Sequence, residues 1–377
     1  MTPRAIGTRC AVHSFVQRDA PPAVAHHATD HKEGRQYPMR TTTLVAALAA
    51  LALGSVGCKG GEAAVTMDTT MLALYGPLPA AMENPANPLT DAKIELGRKL
   101  YFETRLSVGN DISCNSCHHL PDYGADTGAV SIGHLGRKGG RNSPTVYNAA
   151  GHVAQFWDGR AADVEAQALG PILNPVEMAM PASPQVIGRV RADAEYRRLF
   201  AAAFPGERNP VTYENLGRAI GAFERKLVTP SRWDHVFHGV DTALTNAEKA
   251  GFNTFTTTGC PTCHMGAYVG GSMFQKVGLV TPWPDTADVG REAVTHQPSD
   301  RFFFKVPSLR NIDRTAPYFH NGAVRSLDTA VVWMAHHQLG RTLTPEQVTL
   351  IVTWLRALTG EIPTAYIAPP AGVIATH

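Results

Sequence analysis

Two stretches of this chain repeat one arrangement of reactive side chains: Cys114-Asn-Ser-Cys117-His118 and Cys260-Pro-Thr-Cys263-His264. Cys-x-x-Cys-His is the attachment signature of c-type haem. The two thiols would form thioethers with the porphyrin vinyl groups, and the histidine that follows is placed to ligate the iron from one face. Zinc would need four ligands, and the 142 residues between Cys117 and Cys260 are far from ribbon spacing. A thiol redox pair gives no reason for a histidine after the second cysteine, twice. The spacing therefore predicts two covalently bound haem c groups.

Each iron then takes a sixth ligand or leaves that face open. Histidine with methionine raises the reduction potential and suits electron transfer, whereas a labile or open face admits small-molecule chemistry. Candidates beyond the first motif are His119, His134 and His152; beyond the second they are Met265, Met334, His336 and His337. Spacing alone does not choose among them.

The elements that must position these groups read as helices. Thr90 caps one running to about Phe102. Thr212 opens another with Leu216, Ile220, Phe223 and Leu227 on one face, and Pro230 stops it. Thr245-Asn-Ala-Glu248 is a capping box whose helix delivers the chain to Cys260, and Thr344-Pro-Glu-Gln347 opens a last helix with Val348, Ile351, Leu355 and Leu358 inward. Residues 60–88 read as loop. Six glycines between 124 and 140 mark a second loop with a low barrier to rearrangement. Period-two alternation is scarce. The predicted fold is mainly α: two cytochrome-c-like haem domains with long loops and little sheet, at 76–230 and 231–377, the boundary falling within 228–240.

The chain has 377 residues, 34 basic against 32 acidic, and is 44% hydrophobic. That composition excludes wholesale disorder, and a net charge of +2 argues against nucleic acid as a partner. Met39-Arg40 followed by the apolar run Leu44 to Leu53 reads as a secretory signal over 39–58, with residues 1–38 a mistranslated upstream extension and 59–75 a linker. Ser55-Val-Gly-Cys58 is similar to a lipoprotein box, though Ser55 stands where leucine is usual; a lipid anchor at Cys58 and simple cleavage are the two alternatives. No apolar run is long enough for a mature spanning helix. Covalent haem plus a signal predicts a periplasmic protein.

Over residues 75–360 the sequence closely resembles bacterial di-haem cytochrome c peroxidases. The shared stretches include Arg105-Leu-Ser107, Arg141-Asn-Ser-Pro-Thr145, Gln155-Phe-Trp-Asp-Gly-Arg160, Gln167-Ala-Leu-Gly-Pro171 and Asn174-Pro-Val-Glu-Met178. Ala222-Phe-Glu-Arg225, Lys305-Val-Pro307, Leu309-Arg-Asn311, Thr315-Ala-Pro-Tyr-Phe-His320 and Gln338-Leu-Gly340 continue the series. The resemblance implies a low-potential peroxidatic haem on His118, with His134 as a labile distal ligand. It implies a high-potential haem on His264 with Met334 opposite, where electrons enter from a reduced c-type cytochrome or cupredoxin. Trp157 matches the tryptophan between the haems, Glu177 the distal acid and base for hydrogen peroxide, and Gln167 its neighbour. Asn142, Thr315 and Pro317 match the ligands of one calcium ion, oxygen donors only, as a hard cation prefers. A homodimer and reductive release of the His134 loop are also implied.

Two other functions compete. Related di-haem enzymes mature a protein-derived quinone, but carry tyrosine as the distal ligand of the second haem. A non-enzymatic electron carrier would keep both irons six-coordinate and have no use for Glu177 or Gln167.

Overall fold

A computed structural model describes residues 63–371. The upstream extension, the signal and Cys58 lie outside that range. The described chain is mostly helical, with one two-stranded antiparallel sheet in which β1 (Phe274–Lys276) pairs with β2 (Phe303–Lys305). Among the described residues no helix is long and apolar enough to cross a membrane.

Two helix pairs carry the architecture. In the first half, α1 (Asp91–Tyr101) packs against α4 (Tyr213–Glu224), with α2 (Ser183–Ala192) and α3 (Ala194–Ala203) beside them. In the second half, α5 (Asn246–Thr258) packs against α7 (Pro345–Ala357), and α6 (Leu327–Leu339) leans on α7. Both crossings use one device. A Cβ on Gly97 would fall inside the Ala219 carbonyl, and one on Gly251 inside the Leu350 carbonyl, so only glycine lets these backbones touch. The caps are those the sequence announces: Thr90 and Thr212 accept from the backbone N–H three residues on, and Thr245 and Thr344 close reciprocal boxes with Glu248 and Gln347. Each such cap stabilises by about 0.5–2 kcal/mol.

Buried apolar side chains gather into two large clusters. One centres on Leu96, Leu100, Tyr101, Phe200, Leu216, Ile220 and Phe223. The other centres on Trp233, Phe252, Ile351, Trp354 and Leu355. In the second, Trp233 meets Trp354 edge-on at 5.4 Å and Phe252 at 5.2 Å, contacts worth about 0.5–1.5 kcal/mol each beyond their buried area.

Residues 60–88 are less uniform than a loop reading suggests. Asp68 caps a single helical turn, Thr69–Leu72. The side chains of Asn246 and Asn253, seven apart on one face of α5, accept from the backbone N–H groups of Val65 and Asp68. Tyr75 then inserts into the second cluster. Helix α5 runs past Phe255 to Thr258, where Gly259, at φ 102°, turns the chain into the second cysteine motif.

Candidate active site

One cavity of about 690 Å³ runs through the interior, and both cysteine motifs stand on its wall. Close-packed interiors hold few voids larger than a water molecule, so a space of this size exists to be filled. Cys114, Cys117 and His118 line it from one half, Cys260, Cys263 and His264 from the other.

The state of the thiols bears on which chemistry such a motif serves. None of the four is in a disulfide. Burial pushes Cys117 up to about 11 and Cys260 up to about 12, and raises Cys114 and Cys263 as well. A redox-active cysteine needs the opposite, a stabilised thiolate. Among the described residues no three His, Cys, Asp or Glu side chains converge to hold a metal ion, where tetrahedral zinc needs four ligands. Protonated thiols on the wall of a large cavity fit covalent attachment of a porphyrin.

The histidines fit as well. Nδ1 of His118 sits 3.3 Å from the Gly124 carbonyl, which fixes the proton on that nitrogen and leaves the Nε2 lone pair available to a metal. Burial lowers His118 and pushes His264 down to about 4, so both rings are neutral. The carbonyls of Val269 and Pro307 lie beside His264 and favour a proton on its Nδ1, although that atom makes no hydrogen bond of good geometry.

The candidate distal groups divide sharply. In the second half Met334, on α6, lines the cavity, whereas Met265, His336 and His337 do not. His337 instead turns Nδ1 to the Thr281 carbonyl at 3.1 Å. In the first half His152 lines the cavity, but its Nδ1 faces the Lys305 ammonium at 3.3 Å. His119 lies off the wall beside Asp122. His134 is also off the cavity wall, at the start of a one-turn 3₁₀ segment whose next residue, Leu135, is 78% exposed. The loop is pinned there by the His134 N–H, which donates to the Glu177 carbonyl at 2.8 Å.

Gln167 and Glu177 both line the cavity beside Arg160 and Asn174. Burial raises the Glu177 carboxyl above its usual range, against the opposing pull of the Arg160 charge and an Asn174 hydrogen bond. Trp157 lies on the same wall, its indole N–H on the Asn142 carbonyl at 2.9 Å and its own carbonyl accepting from the Lys305 N–H at 2.7 Å. Asn142, Thr315 and Pro317 share that wall. The Asn142 amide nitrogen donates to the Gly128 and Ala129 carbonyls, which leaves its side-chain oxygen free to face a cation.

This chain is 44% identical to the cytochrome c551 peroxidase of Pseudomonas aeruginosa, over 77% of this chain and 86% of that one. It is 40% identical to the cytochrome c551 peroxidase of Nitrosomonas europaea, over 85% and 92%. The profile of the di-haem cytochrome c peroxidase family matches residues 91–242. The chain belongs to the di-haem cytochrome c peroxidase family. A solved MauG-like protein associated with microbial copper homeostasis shares the fold at a TM-score of 0.68 and 29% identity, over 78% of this chain and 97% of that one. The diheme peroxidase BthA of Burkholderia thailandensis, 20% identical, shares the fold at a TM-score of 0.62. Membership accounts for a cavity that reaches two motifs: a di-haem peroxidase needs space for two porphyrins and a path between them.

Sequence reasoning missed the cavity's charge pattern. Lys305 was visible only as part of a shared stretch, and nothing local in the sequence says that its ammonium is buried. Arg160 and Asn174 likewise lie within shared stretches that give them no role of their own; a charged or amide side chain next to a suspected acid is the signal that picks them out.

Proposed function

We propose that this chain is a periplasmic cytochrome c peroxidase. It reduces hydrogen peroxide to water with electrons from a small c-type cytochrome or a cupredoxin. The carrying observation is a cavity lined by both haem motifs, with Trp157, Gln167 and Glu177 on the same wall. When bound, the haems supply electron storage and the iron on which the O–O bond breaks. The chain's own residues do the rest.

Met334 and His264 both line the cavity and would hold the second haem, where a histidine–methionine pair would give a high potential suited to accepting electrons. Trp157, which lines the same cavity as both motifs, shortens the electron path to the His118 side. There Glu177 takes the proton from the near oxygen of peroxide and returns it to the departing oxygen, so that two electrons and two protons turn one peroxide into two waters. A buried carboxyl lifted above its usual range holds and releases a proton closer to neutral pH than an exposed one. Gln167 orients peroxide. His134, when its loop closes, occupies the face that peroxide needs. Asn142, Thr315 and Pro317 bind one calcium that braces the Trp157 region, and the enzyme is a homodimer. Cys58 carries a lipid anchor or is lost with the signal.

The protein-modifying relatives are disfavoured by Met334 on the cavity wall, where they are expected to carry tyrosine. The test is spectrophotometric: holoenzyme with both haems loaded oxidises reduced c-type cytochrome only when hydrogen peroxide is added. Loaded enzyme that fails with several donors would overturn the reading.

A further inference from the structure

Three cationic side chains line the cavity: Arg141, Arg160 and Lys305. Arg141 is paired with Asp158 and Asp288, both at 2.6 Å, and Arg160 with Asp158 at 3.0 Å. Lys305 is 7% exposed, and among the described residues no carboxylate lies within ion-pair distance of it. Its ammonium donates to the Ala154 carbonyl at 2.8 Å and faces Nδ1 of His152 at 3.3 Å. An ammonium has three N–H donors, so one remains unmet. The neighbouring imidazole is short of a partner too: Nε2 of His152 is buried with none. With Nδ1 accepting from lysine, Nε2 carries the proton, and the pair offers two donors and one positive charge.

Such a group is expensive to bury unless an anion completes it. Lys93, the other buried lysine, bonds the Asn87 side chain and the Pro88 carbonyl, and has Glu207 and Glu165 within its field to offset part of the cost of burial and of Arg218 and Arg225. Lys305 feels desolvation alone, which pushes it down to about 8 and still leaves it charged at neutral pH. Nor is it a mobile chain that happens to fold inward. It ends β2, and its N–H is tied to the Trp157 carbonyl. Two residues on, the Pro307 carbonyl lies beside His264. The missing anion must therefore come from whatever fills the cavity on the His264 side.

We propose that Lys305, with His152 behind it, is the counter-ion of a propionate carboxylate of the haem held by His264. This rests on the two-haem reading above. Lys305 is a positioning residue with an electrostatic effect. A fixed cation at the haem edge favours the reduced, less positive haem, so it holds the C-terminal potential up. Its strand also ties to Trp157, through the Lys305 N–H on the Trp157 carbonyl.

The experiment uses matured holoenzyme carrying Lys305→Met or Lys305→Arg. Haem content per chain is measured first, so that failure of the two-haem reading is seen separately. Potentiometric titration then follows each haem by its own spectrum. Lys305→Met should move the midpoint of the C-terminal haem to lower potential and leave the N-terminal haem in place, while Lys305→Arg should restore most of the loss. Unchanged midpoints in Lys305→Met, or a shift confined to the N-terminal haem, would overturn the pairing. Should Lys305→Met fail to mature, resonance Raman of wild type and Lys305→Arg decides it. The propionate bending bands should differ between the two and shift in deuterated water, whereas bands indifferent to both changes would overturn it.

Discussion

The backbone N–H of His134 donates to the carbonyl of Glu177 at 2.8 Å, so the residue proposed to close the peroxide face is hydrogen-bonded to the residue proposed to do the chemistry there. The contact is possible because Gly133 lies flat on the 176–177 backbone; a Cβ at Gly133 would overlap the Val176 carbonyl. In this arrangement Glu177 lines the cavity and His134 does not. The Gly-rich loop is thus docked on the backbone of the segment that carries Glu177, with Nδ1 of His134 buried and without a partner.

Glu177→Gln keeps the shape of the side chain and removes its proton chemistry. Turnover should fall by about 10²–10⁴-fold, the usual contribution of a general acid–base group. Because burial raises the Glu177 carboxyl, the wild-type rate should lose activity with falling pH at a value above the ordinary glutamate range of about 4.3. That acid limb should vanish in Glu177→Gln. Steady-state kcat against pH for both enzymes makes the comparison, and an acid limb that survives the substitution would assign it elsewhere.

His134→Gly removes the ring that would cover the peroxide face without disturbing the backbone contact to Glu177. The variant should turn over without prior reduction of the C-terminal haem, whereas wild type needs it. A variant as dependent on reduction as wild type would contradict the ligand assignment.

Asn142→Ala should weaken calcium binding on the order of 10–100-fold or more, at least the cost of losing an outer-shell metal partner. Chelation should slow wild-type turnover reversibly and leave the variant unaffected. Calcium titration calorimetry with activity measured in parallel checks both; full activity in exhaustively chelated wild type would remove calcium from the account.

Arg310 and Asp234 form a buried bidentate pair at 2.6 and 2.9 Å, completed by the Ser231 and Leu78 N–H groups and by the Ala267 carbonyl next to the second motif. Breaking one side leaves the other charge buried, so Arg310→Met should destabilise by about 3–5 kcal/mol. Burial alone would raise the Asp234 carboxyl, but the Arg310 bond and charge and the backbone donors outweigh it and hold it low. With the folded value below the unfolded one, the pair's contribution is full above about pH 4 and is lost as pH falls through the folded value. Urea unfolding from pH 7 downward should therefore show a steep acid loss in wild type that is blunted in Asp234→Asn.

Local signals in the sequence were strong where the physics is local. The capping box at Thr245, the helix start at Thr344 and the inward face of Leu216, Ile220 and Phe223 each rest on neighbours within one or two turns, and each stands in the structure, whereas the helix expected to run to Pro230 already ends at Glu224, capped at Arg225, and leaves Leu227 beyond it. Helices α2 and α3 escaped notice because Pro184 and Asp193 punctuate a stretch that otherwise reads as polar and irregular; their inward residues, Val186, Val190, Tyr196 and Phe200, are too sparse to show a period by eye. The cysteine motifs announced the cofactor, but the choice of distal groups depended on the fold. Met265 and Met334 look equivalent in sequence, and only the packing of α6 puts Met334 on the cavity wall. The Lys305–His152 contact spans 153 positions and carries no local pattern at all.

The most direct measurement follows oxidation of a reduced c-type cytochrome by hydrogen peroxide, with calcium present. It is run on fully oxidised holoenzyme and on enzyme half-reduced with ascorbate. The account predicts rapid turnover of the half-reduced enzyme, two cytochromes oxidised per peroxide consumed, and little from the oxidised form. No peroxide-dependent oxidation in either state, with both haems loaded, would contradict it.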